Sequence, residues 1–163
     1  WQGGNLAGDI TLVEFMDYRC GYCRKAHSEV AELIASDGNI RYIVKEYPIL
    51  GPESELASRF AIATRLTEGD AAYKEVYNGL FVFKGAMTKK NLVAVAKELG
   101  LDGDAIAAVM AEDSVTDILS RSLGLGQTLG VNGTPTFIVN GQMLRGYVPL
   151  EDLREMVAAL RKG

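Results

Sequence analysis

The chain's only two cysteines, Cys20 and Cys23, stand three apart with Gly21-Tyr22 between them. Thiols at this spacing can hold a metal ion, close a short staple, lie inert in a core or exchange electrons. A structural metal site takes about four ligands, and the only other soft ligand is His27. A staple across a two-residue loop removes little chain entropy. Redox exchange fits the surroundings better. The pair opens a stretch of helical period, where a thiol meets unsatisfied backbone N–H groups and the positive end of the helix dipole. Both favour thiolate, the nucleophilic form. Cys20, at the exposed helix end, is expected to attack. Cys23, one turn in on the apolar stripe, is expected to be shielded and to resolve the mixed disulfide. Two other readings stand beside it: a thiol protein that handles copper or another soft metal without turnover, and a redox sensor.

Other residues could take part in such chemistry. Glu14 interrupts an apolar run six residues before Cys20. It is either a strand-edge carboxylate facing water or a buried one, and burial would disfavour its charged form. Lys45 is a candidate charge partner. His27, one turn beyond Cys23, could tune that thiol but reads more simply as a helix-surface histidine. Tyr73, Tyr77, Phe81 and Phe83 read as core aromatics. The five methionines are too dispersed to form a methionine-rich copper site.

The elements that must carry these residues follow from periodicity. Residues 9–17 read as a strand covered on both faces. From Cys20 to about Ala35 the period is helical, with Cys23, Ala26, Val30, Leu33 and Ile34 on one stripe, and Asp37-Gly38 ends it. Residues 40–47 form a second strand. Five helical segments follow: 53–68, 70–83, 88–99, 102–111 and 114–130. Strand character returns at 136–139, Asn140-Gly141 is a hairpin signal, and 142–145 would be the return strand. Pro149 opens a last helix, with Glu151 and Asp152 in its first turn and Arg161 and Lys162 in its last. This order predicts an α/β fold. It has a mixed sheet with helices on both faces, built from residues 1–52 and 131–163, and an all-helical domain inserted at 53–130.

Composition limits the partners. With 48% hydrophobic and 23% charged residues the chain is globular. A formal net charge of −4 gives no basic face for nucleic acid. No apolar run is long enough to span a membrane. Residue 1 is Trp1 rather than Met, and residues 1–8 are polar and Gly-rich, so an export signal would lie outside them.

Two stretches resemble a known family. Leu12-Val13-Glu14-Phe15-Met16-Asp17-Tyr18-Arg19-Cys20-Gly21-Tyr22-Cys23 is similar to the active-site segment of the DsbA-like thiol-disulfide oxidoreductases. Gly133-Thr134-Pro135-Thr136-Phe137 resembles that family's cis-proline loop. The likeness covers nearly the whole chain and looks nearest to the exported bacterial branch with a Cys-Gly-Tyr-Cys centre, which includes copper-sensitivity suppressors and Com1-like proteins. It implies a thioredoxin-like fold, Cys20 as nucleophile and Cys23 as resolving thiol. It also implies a buried Glu14 that moves the resolving thiol's proton. Gly21, Tyr22, Thr134 and Pro135 would meet an extended substrate segment, with Pro135 cis. The partners implied are cysteine-containing protein substrates in the bacterial envelope and a membrane redox partner, either a quinone-linked oxidase or a transmembrane reductant donor. No cofactor, metal or oligomeric state is implied. The strongest oxidant of the family has Pro-His between its cysteines. Gly21-Tyr22 lacks that histidine, and Thr134 before the proline resembles the isomerase and reductase branches, so a moderately oxidising couple is expected.

Overall fold

Alternation along residues 10–16 places Ile10, Leu12, Glu14 and Met16 on one face of a strand and Thr11, Val13 and Phe15 on the other. In the computed structural model, which describes residues 1–162, this strand is the centre of a five-stranded sheet. The elements in order are β1 (Gln2–Gly4), β2 (Ile10–Met16), α1 (Gly21–Asp37), β3 (Ile40–Glu46), α2 (Pro52–Val82), α3 (Lys89–Glu98), α4 (Gly103–Val109), α5 (Asp113–Thr128), β4 (Thr136–Val139), β5 (Gln142–Arg145) and α6 (Leu150–Lys162). The strand order is β1-β3-β2-β4-β5. Only β2 and β3 run parallel, joined by α1 as crossover, and the other three pairings are antiparallel. The α/β, thioredoxin-like architecture with a helical stretch between β3 and β4 is as the sequence predicts.

The sheet's two faces are covered differently. Ile10, Leu12 and Met16 of β2 join Ile40, Tyr42 and Val44 of β3 under the apolar stripe of α1, in one buried cluster that continues through Phe60, Tyr77 and Leu80 of α2. Each large apolar side chain so buried stabilises the fold by about 1.5–3 kcal/mol. Phe15, Tyr47 and Val131 form a smaller cluster on the other face, against Leu123 of α5.

Local signals set the element ends. Gly38 takes φ 73° and its N–H reaches the Ile34 carbonyl, closing α1. Thr88 and Asp102 cap α3 and α4 through their side chains. Asn140 and Gly141, at φ 44° and 88°, turn the β4–β5 hairpin. The expected segments 53–68 and 70–83 are two helices that meet at Gly69 within α2, where φ 88° and ψ −177° break the helical path. One detail differs from expectation. The Gly-rich start carries an edge strand, β1, that no periodicity announces. It pairs with β3 through the main chain, Gln2 opposite Ile43 and Gly4 opposite Arg41, and the Gln2 side-chain oxygen accepts from the Arg41 guanidinium at 2.7 and 3.0 Å.

Candidate functional site

Asp17 follows β2 and builds the turn that delivers the first cysteine. It is wholly buried. Its Oδ1 accepts the Arg19 N–H at 2.8 Å, and its Oδ2 accepts those of Ile49 and Leu50 at 2.9 and 3.0 Å. The Asp17 carbonyl takes the Cys20 N–H at 3.1 Å. Cys20 therefore lands at the N-cap of α1 with φ −76° and ψ 118°. Its Sγ accepts the Cys23 backbone N–H at 3.3 Å, as an N-cap side chain does. Both thiols are free.

The thiols differ as their positions dictate, with one correction. Cys23 is fully buried, as its place on the apolar stripe predicts. Cys20 is not openly exposed, as the helix end suggests, but only 7% accessible. The loop before β4 covers it, and the Cys20 thiol donates to the Thr134 carbonyl oxygen at 3.2 Å. The Cys20 pKa is lowered to about 6. The largest cause is a hydrogen bond from the Cys23 thiol. Burial opposes it, and a side-chain hydrogen bond with Thr134 and the backbone amides of Cys23 and Tyr22 add to the lowering. Burial pushes the Cys23 thiol far up, and its hydrogen bond to Cys20 and the charge of Glu14 push the same way. The helix-end amides lower Cys20 as expected, and the neighbouring thiol is the larger cause.

Thr134 and Pro135 are joined by a cis peptide bond beside Cys20. The Pro135 carbonyl is tied to the Gly146 N–H at 2.9 Å, which docks the loop on the β5 end. Gly21 has open space where a Cβ would stand. Tyr22 is 64% exposed and stacks on Tyr147, ring centroids 6.1 Å apart. Tyr147 is held from α1: its hydroxyl donates to Glu29 at 2.7 Å, and Lys25 Nζ lies 4.1 Å over its ring.

Glu14 is 1% exposed, on the buried alternative of the two that the sequence left open. It stands between Val44 of β3 and Phe137 of β4. Burial raises its pKa to about 7, the hydrogen bond from Tyr42 opposes the rise, and the charge of Cys20 adds to it. Tyr42 Oη donates to Oε2, while Oε1 is buried with no hydrogen-bond partner among the described residues. Lys45 is not its charge partner. It pairs with Phe15, one residue out of register, so its side chain leaves from the opposite face of the sheet. His27 is no simple surface residue either. It stacks on Phe81 at 4.7 Å and meets the Tyr77 edge at 5.0 Å, and burial lowers its pKa.

A third buried carboxyl, Glu46, is marked by no motif in the sequence. Tyr18 and Tyr73 donate to its Oε1 at 2.9 and 2.5 Å, and Ser58 donates to Oε2 at 2.7 Å. Burial raises its pKa to about 7 against these donors. Alternation along residues 40–46 carried the signal: Ile40, Tyr42, Val44 and Glu46 share one side. Among the described residues, no group of three or more His, Cys, Asp or Glu side chains is placed to hold a metal ion. No helix among them is long and apolar enough to cross a membrane.

Known proteins share this fold. The family profile described as a DSBA-like thioredoxin domain matches residues 11–158. A thioredoxin-like oxidoreductase from Silicibacter pomeroyi DSS-3 superposes with a TM-score of 0.92 at 37% identity, over 99% of this chain and 92% of that one. The thiol-disulfide exchange protein alpha-DsbA2 from Wolbachia pipientis superposes with a TM-score of 0.89 at 29% identity, over 98% and 86% of the two chains. Among curated proteins, a Na(+)/H(+) antiporter NhaA from Herminiimonas arsenicoxydans is 30% identical over 155 residues. That match takes in 94% of this chain but only 24% of the relative, so the chain spans about a quarter of that protein's length.

Proposed function

The chain belongs to the DSBA-like thioredoxin domain family, and on that premise we propose that it exchanges disulfides with cysteine-containing protein substrates through Cys20 and Cys23. One observation carries the reading. The Cys20 sulfur sits at the N-cap of α1, 3.3 Å from the Cys23 N–H and 3.2 Å from the Thr134 carbonyl, with a fully buried thiol one turn behind it. When Cys20 and Cys23 are joined, a substrate thiolate attacks Cys20 Sγ. The Cys20–Cys23 bond breaks, and Cys23 leaves as a thiolate that burial renders strongly basic. It takes a proton from Glu14. A second substrate thiolate then attacks the substrate sulfur of the mixed disulfide and expels Cys20. With a pKa of about 6, Cys20 leaves readily as thiolate at neutral pH. In reverse, Cys20 attacks a substrate disulfide and Cys23, having given its proton to Glu14, releases the substrate.

Substrate contact is assigned to Gly21, Tyr22, Thr134 and Pro135, which border the Cys20 sulfur. The helices of 53–130 act as an insertion into the unit formed by 1–52 and 131–163. The reading includes work on exported proteins in the bacterial envelope, with a membrane redox partner restoring the pair. Gly21-Tyr22 leaves no histidine to hold the thiolate, and with Thr134 this favours a moderately oxidising couple. Equilibration with glutathione tests it. The expected potential lies well below about −120 mV, the strongly oxidising end of the superfamily. Insulin reduction and refolding of a scrambled protein should be catalysed by the chain and abolished by Cys20→Ser. A chain no faster than Cys20→Ser in both assays refutes the reading.

A further inference from the structure

Glu14 is buried at the centre of the sheet, and a carboxyl that trades protons with Cys23 at every turnover must trade them with solvent as well. The structure holds a path. Tyr42 Oη donates to Glu14 Oε2 and lies 2.9 Å from Tyr77 Oη. A phenol has one proton, and that of Tyr42 is committed to Glu14, so Tyr77 is the donor in the Tyr77–Tyr42 bond. Both hydroxyls therefore point inward to the carboxylate. Tyr42 and Tyr77 also line a cavity of about 520 Å³ between α1 and α2, whose wall includes His27, Val30, Lys74 and Asn78. On its other side Glu14 keeps Oε1 without a partner, and its charge acts on Cys23.

We propose that Tyr42 and Tyr77 relay the proton that Glu14 exchanges with Cys23, passing it between the buried carboxyl and solvent in this cavity. The proposal rests on the disulfide-exchange reading above. When Cys23 is released as thiolate, it takes the Glu14 proton. The Tyr42 proton then moves to Glu14, the Tyr77 proton to Tyr42, and a solvent proton to Tyr77. When Cys23 must instead lose its proton, the hops run outward and the hydroxyl orientations reverse. Each step breaks one O–H bond and forms another, and no phenolate persists, as the raised pKa values of both buried tyrosines require. The other titratable groups near this path are the amine of Trp1, whose ring lines the cavity, His27 and Cys23 on α1, Cys20 at its N-cap, Tyr73 and Lys74 on α2, Tyr18 before α1 and Glu46 on β3. Glu46 is fully engaged by Tyr18, Tyr73 and Ser58 and has no hydrogen bond into the Glu14 chain.

Tyr77→Phe is the informative variant, because it cuts the relay while leaving Tyr42 on Glu14. Reduced protein is oxidised with glutathione disulfide at concentrations that saturate the first attack, so that resolution by Cys23 is the observed step. In dilute buffer, resolution is expected to slow at least about tenfold in Tyr77→Phe, given that positioned proton transfer contributes about 10²–10⁴ in rate. Added imidazole, small enough for the cavity, is expected to restore the rate in proportion to its concentration. Tyr73→Phe removes a neighbouring hydroxyl from the same cluster and is expected to match the unaltered chain. An unchanged Tyr77→Phe rate overturns the relay. So does a slowed rate that imidazole leaves untouched, or equal slowing in Tyr73→Phe, since either marks a packing effect. An unaltered chain that is not oxidised through Cys23 at all overturns the disulfide-exchange reading, and the relay with it.

Discussion

At the scale of single residues, the asymmetry between the two thiols decides the chemistry. The Cys23 thiol is the largest influence lowering Cys20, and it can act only while it keeps its own proton. Burial guarantees that. Reduced protein treated with iodoacetamide across a pH series should therefore label at Cys20 alone, with a midpoint near 6, against about 8.5 for a free thiol. Cys23→Ala removes the thiol donor but keeps the residue 23 backbone N–H, so the midpoint should rise by about one to two units without reaching the free value. An unmoved midpoint would return the lowering to the helix end alone. Much of this site was legible in the sequence. The spacing of Cys20 and Cys23 and the apolar stripe under Cys23 marked an attacking and a shielded thiol. Three features were not legible. The Asp17 turn depends on amides some thirty residues away. Tyr22 finds Tyr147 only through the fold. The exclusion of Lys45 depends on a one-residue register that neither strand states by itself.

At the scale of elements, α5 and the loop before β4 meet the end of β3 at one close approach. The Tyr47 ring lies so near Gly126 that a Cβ there would stand 2.3 Å from a ring carbon. Beyond that contact the Tyr47 hydroxyl donates to the Val131 carbonyl at 2.9 Å, four residues before Pro135. Gly126→Ala gains about 1 kcal/mol in helix propensity, but displacing a packed ring costs about 1–3 kcal/mol. The steric effect should win. The variant is expected to melt a few degrees lower, at about 2–4 °C per kcal/mol for a chain of this size, and to catalyse insulin reduction more slowly because the loop over Cys20 shifts. Unchanged melting in a calorimeter would show that the ring swings aside freely. Helix positions and most boundaries could be read from periodicity, Gly38, Thr88 and Asn140-Gly141, since those signals are local. The edge strand β1 could not, because a Gln-Gly-Gly strand has no alternation and is held by main-chain pairing with β3 and by the Arg41 guanidinium on the Gln2 side chain.

At the scale of the whole molecule, two carboxyls buried in one core, Glu14 and Glu46, should set how stability depends on pH. Each is raised from 4.5 to about 7 with burial as the leading cause. A carboxyl raised on folding holds its proton more tightly in the native state than in the unfolded one. Its contribution is complete below the unfolded value of 4.5 and disappears as pH climbs through about 7. A shift of this size corresponds to about 3 kcal/mol per carboxyl, a large part of the roughly 5–15 kcal/mol that holds a domain together. Other groups act elsewhere or in the opposite sense. Asp9 and Asp37, paired with Arg161, are lowered from 3.8 and matter only in stronger acid. His27 is lowered from 6.5 and adds stability as pH rises toward that value. In the reduced protein Cys20, lowered to about 6, loses its contribution as pH falls through that value and so also opposes the carboxyls. The disulfide form removes both thiols from the balance and isolates the carboxyls. Urea unfolding of that form between pH 4.5 and 7.5 should show stability falling by several kcal/mol with rising pH. The Glu14→Gln, Glu46→Gln double variant should be nearly flat over the same range, with His27 leaving a slight upward slope. A wild-type curve as flat as the double variant's would mean that both carboxyls are already ionised in the folded protein. Glu14 would then have no proton to lend Cys23 near neutral pH.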